Sequence, residues 1–219
     1  MEKLSSLLRK DADSIWRKIF EHPFVVELYS GKLPIEKFKF YVKQDYNYLI
    51  GMMRTFSILA SKADYEVARL ALEIAYADAT IEMENYIKLL KKLGMALEEV
   101  LSVEPMPTNI AYMNFLITTC YISTPIECLV ATLPCFWSYA EIAEIHRDLL
   151  KDNSVDIYVE WASVYLSNEY RSLVSKLIDL VDKLWSGENY EKLKKIFITA
   201  SRYEYMFWDA SYREEAWPV

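Results

Sequence analysis

The sequence predicts an all-α protein, and three observations carry that prediction. Apolar residues recur at spacings of three, four and seven along nearly the whole chain, the period of helices with one buried face. Glycine is scarce, at 4 of 219 residues; tight turns and the phosphate loops of nucleotide-binding sheet proteins depend on it. The prolines fall where helices open, bend or stop. No segment requires a strand. No repeat, low-complexity run or linker divides the chain, so a single helical domain over residues 1–219 is the economical organisation.

The elements follow in order. Leu4, Leu7, Leu8, Ile15, Ile19 and Phe20 form the stripe of a first helix. His22-Pro23 ends it, because the residue before proline is pushed out of the α region. Phe24 to Tyr29 forms a short helix closed by Gly31. Pro34 suits a first turn and opens a long helix to about Ser61. A further helix runs from about Tyr65 to Lys92 and stops at Gly94. Pro105 and Pro107 interrupt the chain, and Pro107 opens a helix through about Tyr121. Thr124-Pro125-Ile126-Glu127 has the order of a helix start, with a capping hydroxyl, a first-turn proline and a glutamate three residues after the cap. That helix extends to about Lys151, with Pro134 predicted to bend it. Asp152-Asn153-Ser154 marks a turn. Helices from about Val155 to Leu166, from about Asn168 to Trp185, and from Asn189 to near Tyr212 complete the chain.

Composition narrows the function. The net charge of −7 argues against a nucleic-acid partner, which ordinarily meets a basic face. Three cysteines, Cys120, Cys128 and Cys135, do not read as a disulfide framework. Met1-Glu2-Lys3 leads into a charged amphipathic segment rather than a signal peptide. No stretch reaches the roughly 20 uninterrupted apolar residues of a membrane span. The expected compartment is the cytoplasm, with no membrane partner.

Four groups of residues invite chemistry. Tyr41, Asp45 and Tyr48 share a helix face with Met52. A carboxylate between rings on an apolar stripe is costly unless paired, so Asp45 is either a hydrogen-bonded structural acid or a ligand-binding one. Cys128, Cys135 and Tyr139 share a face of the helix after Thr124, and Cys135 follows the helix-bending Pro134. Most such thiols are inert core residues. A reactive one needs a neighbour that favours thiolate, and His146 lies too far along the helix to be an obvious base. In the last helix Phe197, Ser201, Glu204 and Trp208 form one stripe, and burial of Glu204 would suit it to proton transfer near neutral pH. Trp161 and Tyr165, four apart, and Tyr112 are core aromatics or ligand contacts. Metals are poorly served: neither His22 nor His146 has a glutamate three residues earlier, as helical di-iron sites require, and two histidines make zinc unsuitable. His22 could in principle hold a haem, or simply cap a helix.

These segments together resemble the TenA family, also called thiaminase II. The resemblance runs from about Trp16 to Tyr212. It rests on His22-Pro23-Phe24-Val25, Gly31-Lys32-Leu33-Pro34 and Gln44-Asp45-Tyr46-Asn47-Tyr48-Leu49. It continues with Ala111-Tyr112, Leu133-Pro134-Cys135-Phe136-Trp137-Ser138-Tyr139, Trp161 with Tyr165 and Ser167, and Tyr203-Glu204 with Phe207-Trp208. It implies a haem-oxygenase-like helical bundle, commonly a homotetramer, and an aminopyrimidine aminohydrolase that needs no cofactor and no metal. Carried over by position, the resemblance makes Cys135 the nucleophile and Glu204 its acid/base partner. Asp45 would hold the aminopyrimidine edge, and Tyr48, Tyr112, Tyr139 and Tyr165 would line the ring pocket. Two stretches depart from the pattern: Ile81-Glu82-Met83-Glu84-Asn85-Tyr86, where many relatives carry a histidine, and Gly51-Met52-Met53. They bear on which amine is accepted. Two other readings remain open: a protein of the same fold with different cofactor-biosynthesis chemistry, and a non-catalytic pyrimidine-binding regulator.

Overall fold

In the computed structural model, which describes residues 2–219, the apolar spacing resolves into thirteen α-helices and no strand among the described residues. They are α1 (Leu4–Asp11), α2 (Asp13–Phe20), α3 (Pro23–Tyr29), α4 (Ile35–Lys62), α5 (Tyr65–Ala77), α6 (Met83–Lys92) and α7 (Leu97–Leu101). Then follow α8 (Pro107–Ile122), α9 (Pro125–Ile145), α10 (Arg147–Lys151), α11 (Asp156–Ser163), α12 (Asn168–Leu184) and α13 (Tyr190–Arg213). A π turn, Asp78–Glu82, joins α5 to α6, and a 3-10 turn, Val164–Leu166, follows α11.

Four expectations change. The first helix divides at Ala12, whose carbonyl accepts from both Ile15 and Trp16 and so starts a new helix. Pro34 caps α4 in extended geometry instead of joining its first turn. The helix expected over Tyr65–Lys92 is interrupted by the π turn, because the buried positions Val67, Leu70, Ala71 and Ile74 do not continue in phase to Tyr86 and Leu90. The helix expected to reach Lys151 breaks at His146, which caps α10. The short α7, between Gly94 and the prolines, had no signal strong enough to predict it.

The chain folds as two compact units. The first comprises the chain up to Leu33 with Ile126–Asp209. In it α1 packs on α2 and α12, and α3 packs on α2, α10 and α11. Trp16 of α2 is its anchor. The ring is fully buried, stacks on Phe197 at 5.9 Å, meets Trp137 edge-on at 5.4 Å, and donates its Nε1–H to Ser201 Oγ at 2.9 Å. Arg9 lies over the same ring at 4.4 Å and pairs with Glu141 at 2.8 Å. Truncating such a ring to alanine costs about 3–5 kcal/mol. Among the described residues α9 is the helix long and apolar enough by composition to cross a membrane, but 61% of that window is buried inside the protein, as in a core helix.

The second unit comprises Pro34–Pro125 and Ala210–Val219. Its centre is α4, packed between α5 and α8. Gly51 lets α8 come close: a Cβ there would collide with the Met113 side chain. Gln44 ties the start of α8 to α4, its Oε1 accepting from Met106 N at 2.9 Å and its carbonyl from Asn109 Nδ2 at 2.8 Å. Tyr86 of α6 donates its hydroxyl to the Val42 carbonyl at 2.7 Å.

Candidate active site

In the first unit the predicted residues lie on α9, α13 and the 3-10 turn. Cys135 is the free cysteine and is partly exposed. Cys120 and Cys128 are both disulfide-bonded, although three cysteines did not read as a disulfide framework. Cys128, two turns before Cys135, is therefore not a second thiol. Tyr139, one turn beyond Cys135, meets Tyr165 at 4.9 Å, Trp208 at 5.1 Å and Trp161 at 6.2 Å between ring centroids. These separations suit tilted aromatic packing. Trp161 and Tyr165 also touch, at 5.0 Å.

Glu204 is 3% exposed and belongs to the buried stripe of Phe197, Ser201 and Trp208 on α13. Three contacts join α13 to α9. Lys192 pairs with Glu127 at 2.9 Å, Phe197 meets Trp137 at 6.4 Å, and Trp208 meets Tyr139. The numbers ascend together on both helices, so the two run parallel. Cys135 precedes Tyr139 by one turn on α9, and Glu204 precedes Trp208 by one turn on α13. Sequence reasoning overlooked Tyr170, whose hydroxyl donates to the Phe136 carbonyl at 3.0 Å and whose ring meets Tyr165 at 5.1 Å.

The histidines have structural duties. His22 caps α3, its Nδ1 accepting from Phe24 N at 3.1 Å, with Nε2 3.7 Å from Asp209 Oδ1. Burial holds its pKa below the ordinary histidine value, against the pull of Asp209. His146 Nε2 lies 2.8 Å from the Phe20 carbonyl. A carbonyl only accepts, so that nitrogen carries the proton. Among the described residues no group of three His, Cys, Asp or Glu side chains is arranged to hold a metal ion.

In the second unit Asp45 and Tyr48 lie on α4, and Tyr48 meets Tyr112 of α8 at 5.5 Å. Tyr48 and Tyr112 are buried and Asp45 is half-buried. Burial, then the charges of Glu82 and Asp78, push the Asp45 carboxyl up to about 7. Asp78 itself is pushed up to about 7 by burial and by Glu82. Its Oδ2 is buried with no hydrogen-bond partner. The sequence gives no direct sign of Asp78 and Glu82, since only packing of the π turn on α4 brings them to Asp45. The one indirect sign is the departure noted at Ile81–Tyr86.

The TENA/THI-4/PQQC family profile matches residues 9–214. The chain is 34% identical to a protein of Halalkalibacterium halodurans named aminopyrimidine aminohydrolase, over 99% of this chain and 98% of that one. It is 33% identical to a protein of Bacillus subtilis of the same name, over 98% of this chain and 92% of that one. Among solved structures, a TenA homologue protein from P. horikoshii superposes with a TM-score of 0.95 at 51% identity, covering 97% of this chain and 99% of that one. A domain from Shewanella denitrificans described as having a heme oxygenase-like fold superposes with a TM-score of 0.80 at 14% identity, covering 98% and 94%, and shares the fold alone. With the helical architecture and a profile match over nearly its whole length, the chain belongs to the TENA/THI-4/PQQC family.

Proposed function

We propose that the chain is a hydrolase of thiamin salvage that converts 4-amino-5-aminomethyl-2-methylpyrimidine to the 5-hydroxymethyl compound, with Cys135 as nucleophile and thiamin as a second substrate to be tested. The observation that carries this reading is identity of about one third, over nearly full length, to proteins named aminopyrimidine aminohydrolase. The burial of Glu204 on α13, a helix in contact with the one that carries Cys135, supports the assignment of roles.

The chemistry balances as follows. Glu204 in its acid form protonates a ring nitrogen while the Cys135 thiolate adds to a ring carbon. The ring electrons then expel the protonated amine of the methylene arm as ammonia, leaving a cationic exocyclic alkene. Water adds to that alkene and gives up one proton, which the ammonia takes, the ring nitrogen returns its proton to Glu204, and the C–S bond breaks to release the thiolate. The sum is substrate plus water giving alcohol plus ammonia, with no change in oxidation state. Asp45 accepts from the exocyclic amine of the pyrimidine, and Tyr48, Tyr112, Tyr139 and Tyr165 bind the ring. The reading includes no metal or cofactor, a cytoplasmic location, no nucleic-acid or membrane partner, and a homotetramer.

The test is incubation of purified protein with the aminomethylpyrimidine and with thiamin, for wild type and Cys135→Ser. Release of the hydroxymethylpyrimidine by wild type alone is expected. Equal release by both proteins removes Cys135 as nucleophile. Tight pyrimidine binding without release by either favours a binding regulator.

A further inference from the structure

The first turn of α8 cannot satisfy its own backbone. Its N-cap is Met106, whose side chain makes no capping bond, and Pro107 has no N–H, so Thr108 carries the first orphan amide. The turn also has no acidic residue to complement the helix dipole. Both needs are met by residues that follow α13. The Thr108 amide donates to Glu215 Oε2 at 2.9 Å, and Trp217 Nε1 donates to the Pro105 carbonyl at 3.1 Å. The backbone that aims them there is strained: Glu214 has φ of 52°, in the left-handed region that favours glycine. The Glu214 amide donates to the Ser211 carbonyl at 3.3 Å and the Glu215 amide to the Ala210 carbonyl at 2.9 Å, the paired bonds that close a helix C-terminus. One turn earlier, Lys37 of α4 donates to the Tyr212 carbonyl and lies 3.8 Å from the centre of the Tyr212 ring.

The segment that this strap grips is also gripped by Gln44. Gln44 Oε1 accepts from Met106 N at 2.9 Å, and Gln44 Nε2 donates to the Glu104 carbonyl at 3.3 Å. Residues 104–108 are thus tied both to α4 and to the strap, and all of these residues belong to the second unit. Gln44 immediately precedes Asp45, and Tyr112 stands one turn after Thr108 on the same face of α8. We infer, resting on the reaction proposed above for the identity of the ligand, that Glu215 and Trp217 are positioning residues for substrate binding. They seat the start of α8, and through it they set Asp45 and Tyr112 for the pyrimidine. Neither residue touches the reacting atoms. Unseating the turn lowers the fraction of protein competent to bind, which weakens affinity and spares the chemical step.

Initial rates on the full chain with 4-amino-5-aminomethyl-2-methylpyrimidine test it. Glu215→Ala should raise KM about tenfold with kcat nearly unchanged, the mark of binding lost equally from ground and transition states. Glu215→Gln keeps an acceptor oxygen and should recover most of that loss. Trp217→Phe keeps an aromatic ring, removes the donor, and should raise KM about fivefold. Glu214→Gln removes the same charge without touching the hydrogen bond to Thr108 and should leave KM as it is. Hydrogen exchange over residues 104–112 should quicken in Glu215→Ala and not in Glu214→Gln. Wild-type KM in Glu215→Ala, even with quickened exchange, overturns the positioning role and leaves a structural strap. A fall in kcat in place of the rise in KM, or Glu215→Gln no better than alanine, overturns it as well. A wild type that releases no product defeats the reaction instead. The strap is then read from the calorimetric Kd for 4-amino-5-hydroxymethyl-2-methylpyrimidine, which should rise by the same factor in Glu215→Ala. A wild type that binds no pyrimidine defeats both.

Discussion

Asp45 and Asp78 keep their protons up to about pH 7, because burial and a shared negative neighbourhood penalise the ionised forms. Their folded pKa values lie above the ordinary value of about 3.9, so the folded state binds more protons than the unfolded one between about pH 4 and pH 7. Stability from these groups is therefore present at low pH and falls as pH rises through about 7. Asp78→Asn should raise the melting temperature at pH 8 by about 2–4 °C, for a gain of about 1 kcal/mol, and change little at pH 5. Equal shifts at both pH values would show that charge is not the cause. His22 has the opposite sign: its lowered pKa gives stability that is full above about pH 6.5 and is lost as pH falls. On the proposed reaction, Glu204→Gln should lower kcat by about 10²–10⁴ with KM nearly unchanged, read from initial rates of product release. Asp45 was legible in the sequence because an acid in an aromatic stripe is a visible expense. Asp78 was not, since its significance lies in a neighbour 33 residues away in the chain.

Helix α4 shows how one missing side chain sets the approach of an element. Glycine inside a helix costs about 1 kcal/mol relative to alanine, and Gly51 is kept where α8 presses Met113 against it. Gly51→Ala should destabilise the protein by about 1–3 kcal/mol through overpacking. In a Met113→Ala background the same substitution should become neutral or stabilising, because helix preference then acts unopposed. Denaturant midpoints for the four proteins of that cycle decide it, and a destabilisation of equal size in both backgrounds would remove Met113 as the cause. Most helix ends were readable, because proline and glycine constrain the backbone directly, as at Pro23, Pro107, Pro125 and Gly187. The breaks at Ala12 and His146 were not, since neither residue opposes helix strongly and the chain turns there to satisfy packing.

For the molecule as a whole, fold class and family were within reach of the sequence because they rest on many weak signals that agree. The state of the cysteines was not, because pairing depends on distances that spacing alone does not give. The denatured, unreduced protein should react as having one free thiol, from Cys135, and after reduction as having three. A thiol count of three before reduction would contradict the disulfide-bonded state of Cys120 and Cys128. Reduction should also lower the melting temperature, since a disulfide typically contributes about 2–4 kcal/mol.

The π turn at Asp78–Glu82 makes length, more than composition, the sensitive property of its segment. It holds one residue more than an α-helical path would, and that surplus rotates everything downstream by about 100°. Ile81, which an unbroken helix would turn inward, is consequently 58% exposed, and Tyr86 comes round to Val42. Removing a single residue such as Ala79 would give a smoother helix and a worse protein. The Tyr86 hydroxyl would swing away from its carbonyl, and the acid group would no longer gather beside Asp45. Substitutions along this stretch should be tolerated far better than deletions.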